Sequence, residues 1–406
     1  MLTSFTLKTE RNYLTGNMKI AILTSGILPV PAVRGGAVEN LIDFYLEYND
    51  QHRLHDITIY SVADPGTRNH PALQSKVNHY YYIDIDSPVG KIRKRIFHWK
   101  HNNEEYYHYS IEYFLFEAIK HIRHQTYDLI ILENRPAYAL KLKDISKARF
   151  VYHLHNEKLN NKTAHYQEIY DTASRIITVS DYIAKCVKTI QPHDTKCVTI
   201  YNGIDLHSFE GHDTRTGEKE TFTLVFSGRI NREKGIMELI EAMNFLKDYH
   251  AIHLLVIGSS FYGKADNENS FTKELKKKAT NLKDRISFTG YIPYSQMPDY
   301  LALADVAVVP SVWDDPFPTT VIEAQAMGLP VITTRRGGIP EEVTSESAIL
   351  LNTNEQFTEQ LANTILDLYQ NPQKRKTMSQ AALQHAKYFS KQRYAEDFFK
   401  ALEQVK

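Results

Sequence analysis

Short apolar runs alternate with amphipathic, helix-like segments along most of the chain. Such runs are typical of buried parallel strands when loops and helical periodicity follow them. The first half of the chain contains them at 19–24, 55–61, 80–85, 127–132, 149–154, 175–180 and 198–201. The second half contains them at 222–227, 253–258, 286–289, 306–309 and 331–333. Strands that alternate with helices predict parallel sheets covered by helices, so we predict an α/β fold.

A polar stretch divides this series of strands into two parts. The 406 residues suffice for two domains, and residues 211–220 lack the apolar periodicity of a helix or strand, as interdomain linkers do. Residues 1–17 also lack it, and we expect a poorly ordered extension there. We therefore predict two Rossmann-like domains, over 18–210 and 221–387, and a last helix within 388–406 at the domain junction.

Composition and charge limit the binding partners and the cellular location that we expect for the protein. The 48 Lys and Arg residues balance the 48 Asp and Glu residues, so no global field favours nucleic acid and any anion must be bound locally. Cys186 and Cys197 lack the spacing of metal ligands, which favours a cytoplasmic protein with free thiols. No apolar stretch approaches the roughly 20 residues of a membrane-spanning helix.

The segment after the strand at 306–309 has the features of an anion-binding helix start. Pro318 cannot continue a strand but suits the beginning of a helix, so the first turn is predicted at Thr319 and Thr320. Free backbone N–H groups, two hydroxyls and the positive end of the helix dipole would meet an anion there. Glu323 lies one turn later on the same face, where a carboxylate suits a sugar diol.

A second candidate for anion binding follows the strand at 222–227. Arg229 and Lys234 lie in the loop that leaves this strand. If the bound anion is a leaving group, it gains negative charge as its bond breaks, and cations fixed at this point would then stabilise the transition state more than the ground state.

These motifs together resemble the donor site of retaining glycosyltransferase family 4. Residues 304–342 contain an acidic residue, seven further residues, a glutamate, and then Gly-Gly-Ile-Pro-Glu. The resemblance implies the GT-B fold, in which two Rossmann-like domains face a central cleft. It implies metal-free, same-face transfer of a hexose from a nucleotide diphosphate sugar, with UDP favoured, to a saccharide or lipid-linked acceptor. The setting implied is bacterial capsule, exopolysaccharide or lipopolysaccharide assembly.

The resemblance assigns roles to individual residues of the second domain. Glu323 corresponds to the ribose ligand, and Arg229 and Lys234 to the cations of the donor diphosphate. Asp315 takes the position that contacts the transferred sugar. The family usually has Glu there, and Asp is shorter by one methylene group.

Other matches are less specific. In the family a histidine beside the transferred sugar follows a strand of the first domain. His153 and His155 point to the same side of the strand, and the pattern aligns better on His155. Gly36 belongs to a Gly-Gly loop that faces the donor and acceptor, and Ile292 is a candidate for a backbone contact to the nucleobase. Gly258 begins a loop whose amides could reach a phosphate or the base.

Two segments allow more than one interpretation. Asp84 and Asp86 match the D-x-D pattern of metal-dependent transferases, but an isolated pair at a strand end favours a structural role, and we predict no metal site. Residues 91–109 are basic and aromatic, which suits either a peripheral membrane contact or a solvated helix with its aromatic rings turned inward. The second interpretation is favoured, while the first would place a cytoplasmic enzyme at the inner face of the cell membrane.

Two alternative functions remain open. A nucleotide-sugar epimerase or hydrolase on the same scaffold would act without an acceptor, and a non-catalytic protein would only bind the sugar nucleotide. No carboxylate nucleophile is evident from the sequence, which disfavours a two-carboxylate hydrolase mechanism.

Overall fold

Two parallel β-sheets, one in each half of the chain, form the framework of the protein. The computed structural model describes residues 17–100, 109–210, 220–259, 270–282 and 284–405. The α/β prediction with two Rossmann-like domains is confirmed. The predicted extension at 1–17 and linker at 211–220 lie outside the described residues, apart from residues 17 and 220.

The first sheet has seven strands in the order β3-β2-β1-β4-β5-β6-β7. The strands are β1 Lys19–Leu23, β2 Asp56–Val62, β3 Asn78–Ile83, β4 Leu129–Glu133, β5 Arg149–Leu154, β6 Ala173–Thr178 and β7 Cys197–Thr199. The helices between them are α1 Ala37–His52, α2 Pro88–Lys100, α3 Tyr109–Ile122, α4 Ala139–Leu142, α5 Tyr166–Thr172 and α6 Asp181–Lys188. The strand order changes direction between β1 and β4, and ligands bind beyond the carboxyl ends of strands at such a point.

The second sheet has six strands in the order β10-β9-β8-β11-β12-β13. The strands are β8 Phe222–Ser227, β9 Ile252–Ile257, β10 Ile286–Gly290, β11 Val306–Val309, β12 Val331–Thr334 and β13 Ala348–Leu351. The helices are α7 Ile236–Phe245, α8 Ser270–Lys278, α9 Met297–Leu301, α10 Thr319–Ala326, α11 Phe357–Gln370 and α12 Pro372–Ala386. The sequence pattern did not predict β13, a half-buried edge strand whose apolar run is short.

The last helix, α13 Lys391–Glu403, returns to the first domain and packs against α1. The rings of Tyr45 on α1 and Phe398 on α13 stack with their centroids 4.2 Å apart. The Arg149 guanidinium of β5 donates to the Val405 carbonyl just beyond α13, at 2.7 Å. The end of the chain therefore contributes to the core of the first domain.

The Gly-Gly-Ile-Pro-Glu segment of the second domain connects the two domains. The Glu341 carboxylate accepts hydrogen bonds from the backbone N–H groups of Asp181 and Tyr182, at 2.7 and 2.8 Å. These are the first residues of α6, where a negative charge also meets the positive end of the helix dipole. A Cβ at Gly338 would lie 2.9 Å from the Cβ of Ser180 and 2.0 Å from the Pro316 carbonyl oxygen, so only glycine allows this close approach.

Helix α2 turns its most apolar stripe away from the protein. Gly90 and Lys94 are buried, and Phe97 packs 5.9 Å from the ring of Tyr113. The opposite face carries large apolar side chains with high exposed fractions: Val89 56%, Ile92 56%, Ile96 49% and Trp99 79%. The expectation that the aromatic rings turn inward is therefore correct for Phe97 but wrong for Trp99.

Candidate active site

A cleft of about 490 Å³ lies between the two sheets, at the carboxyl ends of their strands. Every residue that the sequence predicts for the site lines this one cleft. They are Gly36, His155, Arg229, Lys234, Gly258, Ile292, Asp315, Thr319, Thr320 and Glu323. The structure thus brings these side chains and loops together, and their individual roles remain predictions.

The loop after β8 holds Lys234 in place at the cleft. The Asn231 side-chain oxygen accepts a hydrogen bond from the Lys234 backbone N–H at 3.2 Å. Gly235 then has φ 70°, and a Cβ there would lie 1.8 Å from the Pro310 carbonyl oxygen, so the turn into α7 requires glycine. Arg229, at the start of the same loop, is exposed to the cleft.

Gly258 follows β9 in an equally tight setting. Its φ is 137°, and a Cβ would lie 1.9 Å from the Gly228 carbonyl oxygen of the neighbouring loop. The two loop backbones therefore approach each other closely at the wall of the cleft.

Asp315 forms an ion pair with Lys234 inside the cleft wall. Its side chain is 6% exposed, and the Ser311 hydroxyl donates to the same carboxylate oxygen, Oδ2, at 3.3 Å. Asp315 therefore fixes the Lys234 ammonium group. Its predicted contact with a transferred sugar stays a prediction.

Helix α10 presents its first turn to the cleft, as the sequence predicts. Pro318 has extended backbone, and the helix begins at Thr319. Glu323 is buried one turn later, and the Tyr294 hydroxyl donates to its Oε1 at 3.3 Å. Burial raises the pKa of Glu323 to about 7, although hydrogen bonds from Thr319 and Tyr294 act in the opposite direction. The Glu323 carboxyl group therefore changes its protonation state near neutral pH.

His155 belongs to a buried hydrogen-bonded cluster in the first domain. Its Nε2 lies 3.0 Å from Oε2 of Glu133, the last residue of β4. His153 Nδ1 lies 3.1 Å from Glu133 Oε1, and the Tyr45 hydroxyl donates to Oε1 at 2.9 Å. His153 is fully buried, whereas His155 reaches the cleft. The alignment on His155 therefore selects the histidine that a ligand can contact.

The remaining predicted residues lie where the domains face each other. Gly36 precedes α1 with φ 112°, and a Cβ there would lie 2.2 Å from Glu39 Oε2. The Tyr291 hydroxyl of the second domain lies 3.9 Å from the Cβ position of Gly35, and Ile292 lines the cleft beside it.

Two family models together match most of the chain. Residues 46–208 match Glycosyltransferase Family 4, and residues 210–385 match Glycosyl transferases group 1. The putative glycosyltransferase YtcC of Bacillus subtilis (strain 168) is 30% identical over 347 residues, which cover 81% of this chain and 78% of that protein. The chain therefore belongs to the glycosyltransferase family that these two models describe.

A further relative and two solved structures are similar to almost the whole chain. Spore coat protein SA of Bacillus subtilis (strain 168) is 28% identical over 408 residues, covering 95% of this glycosyltransferase and 99% of the relative. Anabaena Alr3699/HepE in complex with UDP and glucose has a TM-score of 0.70 at 21% identity, covering 96% and 100% of the two chains. Sucrose-phosphate synthase from Thermosynechococcus elongatus has a TM-score of 0.74 at 19% identity, with 96% and 99% coverage. The predicted GT-B fold is thereby confirmed.

The first aspartate of the D-x-D pattern accepts hydrogen bonds within the chain. Asp84 Oδ1 accepts hydrogen bonds from the backbone N–H groups of Asp86 and Ser87, at 3.3 and 2.9 Å. The first aspartate thus shapes the turn that precedes α2, outside the cleft. The Ser87 hydroxyl also donates to the Asp84 carboxylate.

Sequence reasoning missed the site residue Tyr294 and the contact between Glu133 and the histidines, because the partners are distant along the chain. Tyr294 follows β10 in a short turn that the fold lays beside α10, and Glu133 meets the histidines of the neighbouring strand. A glutamate at the end of one strand and His-x-His at the end of the next is the signal that could have found Glu133.

Among the described helices, none is both long and apolar enough to cross a bilayer.

Proposed function

We propose that this glycosyltransferase moves a hexose, with retention, from a UDP-hexose to a saccharide or lipid-linked acceptor in bacterial surface polysaccharide synthesis. One observation carries the proposal. Arg229, Lys234, the first turn of α10 and Glu323 all face the same cleft on the second domain. Two cations and a helix start suit a pyrophosphate, and the adjoining carboxylate suits a ribose diol.

The donor would lie with its pyrophosphate between the loop after β8 and the start of α10. As the bond from the anomeric carbon to the diphosphate oxygen breaks, that oxygen gains charge, and the cations stabilise it. They supply the charge that a metal ion would supply in a metal-dependent transferase, so the transfer is proposed to be metal-independent. Support for uridine comes from proteins of the same fold, because HepE was crystallised with UDP-glucose.

Retention is the outcome that the resemblance to retaining family 4 implies, and the carboxylates of the cleft bear on its route. Among its described lining residues, Asp315 and Glu323 are the acidic ones. Asp315 is paired with Lys234, and Glu323 would hold the ribose, so neither is placed to attack the anomeric carbon. Retention without a carboxylate nucleophile would require the acceptor hydroxyl to attack from the leaving group's face, form the new glycosidic bond and pass its proton to the departing diphosphate oxygen.

The test is a panel of UDP- and GDP-hexoses, each incubated with and without saccharide acceptors, in buffer with and without a chelator. We expect one UDP-hexose to be consumed only with an acceptor, to be insensitive to the chelator, and to give an α-linked product by proton NMR. Sugar released or rearranged without an acceptor would instead indicate an epimerase or hydrolase. Binding without turnover would indicate a non-catalytic protein.

We also propose that α2 contacts an anionic membrane surface, where a lipid-linked acceptor would be found. The predicted segment at 91–109 is described as far as Lys100, and its residues 101–108 lie outside the described part of the chain. The exposed stripe of Val89, Ile92, Ile96 and Trp99 points away from the protein. Basic residues flank it and α2 contains no acidic one, which matches an interfacial helix on anionic lipid.

The substitution of Ile92, Ile96 and Trp99 by Ser is expected to reduce vesicle binding at least about 10-fold, because each buried apolar side chain contributes about 1.5–3 kcal/mol. Co-sedimentation with phosphatidylglycerol-containing vesicles measures it. Vesicles of phosphatidylcholine alone should bind the wild type weakly. Phe245→Ser, which removes a 62% exposed side chain from α7 of the second domain, is the matched control. Equal binding by the triple variant and the control would contradict the proposed contact.

A further inference from the structure

The cluster around Glu133 holds His155 by its backbone and by one of its ring nitrogens. Glu133 is fully buried at the end of β4, and β5 places His153 directly beside it in the sheet register. The His155 backbone N–H donates to the Asn134 side-chain oxygen at 3.1 Å, which fixes the main chain at the end of β5. His155 thus has both its backbone and one ring nitrogen held by residues that follow or end β4.

The protonation states within the cluster follow from its contacts. Burial would raise the pKa of Glu133, but the charge and hydrogen bonds of the two histidines hold it below its usual range. Burial, together with the neighbouring His153, lowers the pKa of His155, so its ring is neutral near pH 7. A carboxylate has no proton to donate, so each partner of Glu133 must donate to it. His155 therefore carries its proton on Nε2.

The remaining ring nitrogen then has a lone pair. We propose that Glu133 is a positioning residue that holds His155 as the Nε2–H tautomer, so that Nδ1 accepts a hydrogen bond from a hydroxyl of the bound sugar. The role of His155 in this inference rests on the proposed function, since it requires a sugar in the cleft. The tautomer itself does not, because the contacts within the first domain fix it.

The other members of the cluster keep the Glu133 carboxylate in one orientation. The Tyr45 hydroxyl donates to Oε1, His153 Nδ1 lies 3.1 Å from both carboxylate oxygens, and His155 Nε2 lies 3.0 Å from Oε2. Tyr394 and Phe398 of α13 cover the His153 ring, at centroid distances of 6.3 and 5.4 Å. The last helix of the chain thus packs directly against the cluster around Glu133.

The same three side chains could in principle bind a metal ion. Glu133, His153 and His155 offer ligand atoms that lie within 4.8 Å of one another. Separations of 3.0 and 3.1 Å between carboxylate oxygens and ring nitrogens are normal hydrogen-bond distances. Hydrogen bonds therefore account for the arrangement. The test must distinguish this hydrogen-bonded cluster from one that binds a metal ion.

Nitrogen-15 NMR of the full chain, labelled at histidine, tests the tautomer directly. The chain has 18 histidines, so the His155 signals are assigned by comparison with the His155→Gln variant. We expect His155 to carry its proton on Nε2 in the wild type and to lose this preference in Glu133→Gln, whose amide can both donate and accept. An Nδ1–H tautomer in the wild type would overturn the inference, as would metal retained by the purified protein at this cluster.

Kinetics test the role in transfer. Glu133→Gln is expected to lower kcat by about 10- to 100-fold, the size typical when a partner that orients a functional histidine is removed. His155→Ala combined with Glu133→Gln should be no worse than His155→Ala alone, because Glu133 acts through His155. Glu168→Gln, an exposed glutamate paired with Lys143, is the matched control and should retain full kcat.

The outcomes separate this inference from the proposed function. If no donor is turned over by the wild type, the proposed function fails while the tautomer measurement stands. If transfer is observed but Glu133→Gln retains wild-type kcat, or if the two substitutions have additive effects, the positioning role of Glu133 is wrong.

Discussion

Replacing Arg229 with Ala is expected to lower kcat by about 10²- to 10³-fold, the loss typical when one fixed group that stabilises transition-state charge is removed. Arg229 is exposed at the cleft, so its truncation should leave the core intact. The negative charge on the leaving diphosphate is greatest in the transition state. The effect on kcat should therefore exceed the effect on the donor KM.

Arg229→Lys and Arg232→Ala make this result specific. Lysine restores the positive charge without the planar fork of the guanidinium, so we expect it to recover part of the lost rate. Arg232 lies in the same loop but pairs with Glu274 at the surface, at 2.7 Å, so its replacement should have little effect. An Arg229→Ala enzyme as active as Arg232→Ala would exclude Arg229 from the transfer step.

Replacing Glu323 with Gln is expected to stabilise the protein at pH 8 and to weaken UDP binding. The pKa of Glu323 is about 7 in the folded protein against 4.5 for an ordinary glutamate. Below pH 4.5 both the folded and the unfolded states are protonated, and the full stability is present. Between those two values the unfolded state loses its proton first, so the free energy of unfolding falls as the pH rises through about 7.

The uncharged glutamine avoids this loss, which amounts to about 3 kcal/mol for a fully buried group. Its amide oxygen can still accept from Tyr294 and Thr319. Thermal unfolding at pH 4 and pH 8 should therefore show similar midpoints at the lower pH and a higher midpoint for the variant at the higher pH. A variant that is less stable than the wild type at pH 8 would show that burial of the charged carboxylate does not destabilise the folded protein.

Ligand binding provides the second half of this prediction. Charge-assisted hydrogen bonds from ribose hydroxyls contribute about 1.5–3 kcal/mol, so UDP affinity should fall about 10- to 100-fold in Glu323→Gln. The wild type should also bind 2′-deoxy-UDP more weakly than UDP. The variant should discriminate less between the two nucleotides. Unchanged discrimination would mean that Glu323 does not contact the ribose.

Local signals in the sequence were sufficient for most of the framework and for the start of α10. Pro318 and the two threonines predicted where α10 begins, and the structure begins it at Thr319. Ser180, a residue type that favours the position before a helix, caps α6: its hydroxyl oxygen accepts from the Ile183 N–H at 3.3 Å. These features depend on residues within one turn of each other, so the sequence is enough to find them.

Features that depend on residues distant along the chain were not predictable in the same way. Glu341 caps α6 from the other domain, and Tyr294 reaches Glu323 from a separate loop. The exposure of Trp99 depends on which face of α2 meets α3, which the basic composition of α2 does not determine. In each case the missing information was how two elements pack, and periodicity within one element cannot supply it.

A crystal structure of the protein soaked with UDP is the most direct test of the proposed donor site. We expect the pyrophosphate within hydrogen-bond reach of Arg229, Lys234 and the backbone N–H groups at the start of α10, with the ribose hydroxyls on the Glu323 carboxylate. A UDP molecule bound elsewhere, or one in this cleft with its ribose away from Glu323 and its phosphates away from both cations, would contradict the account.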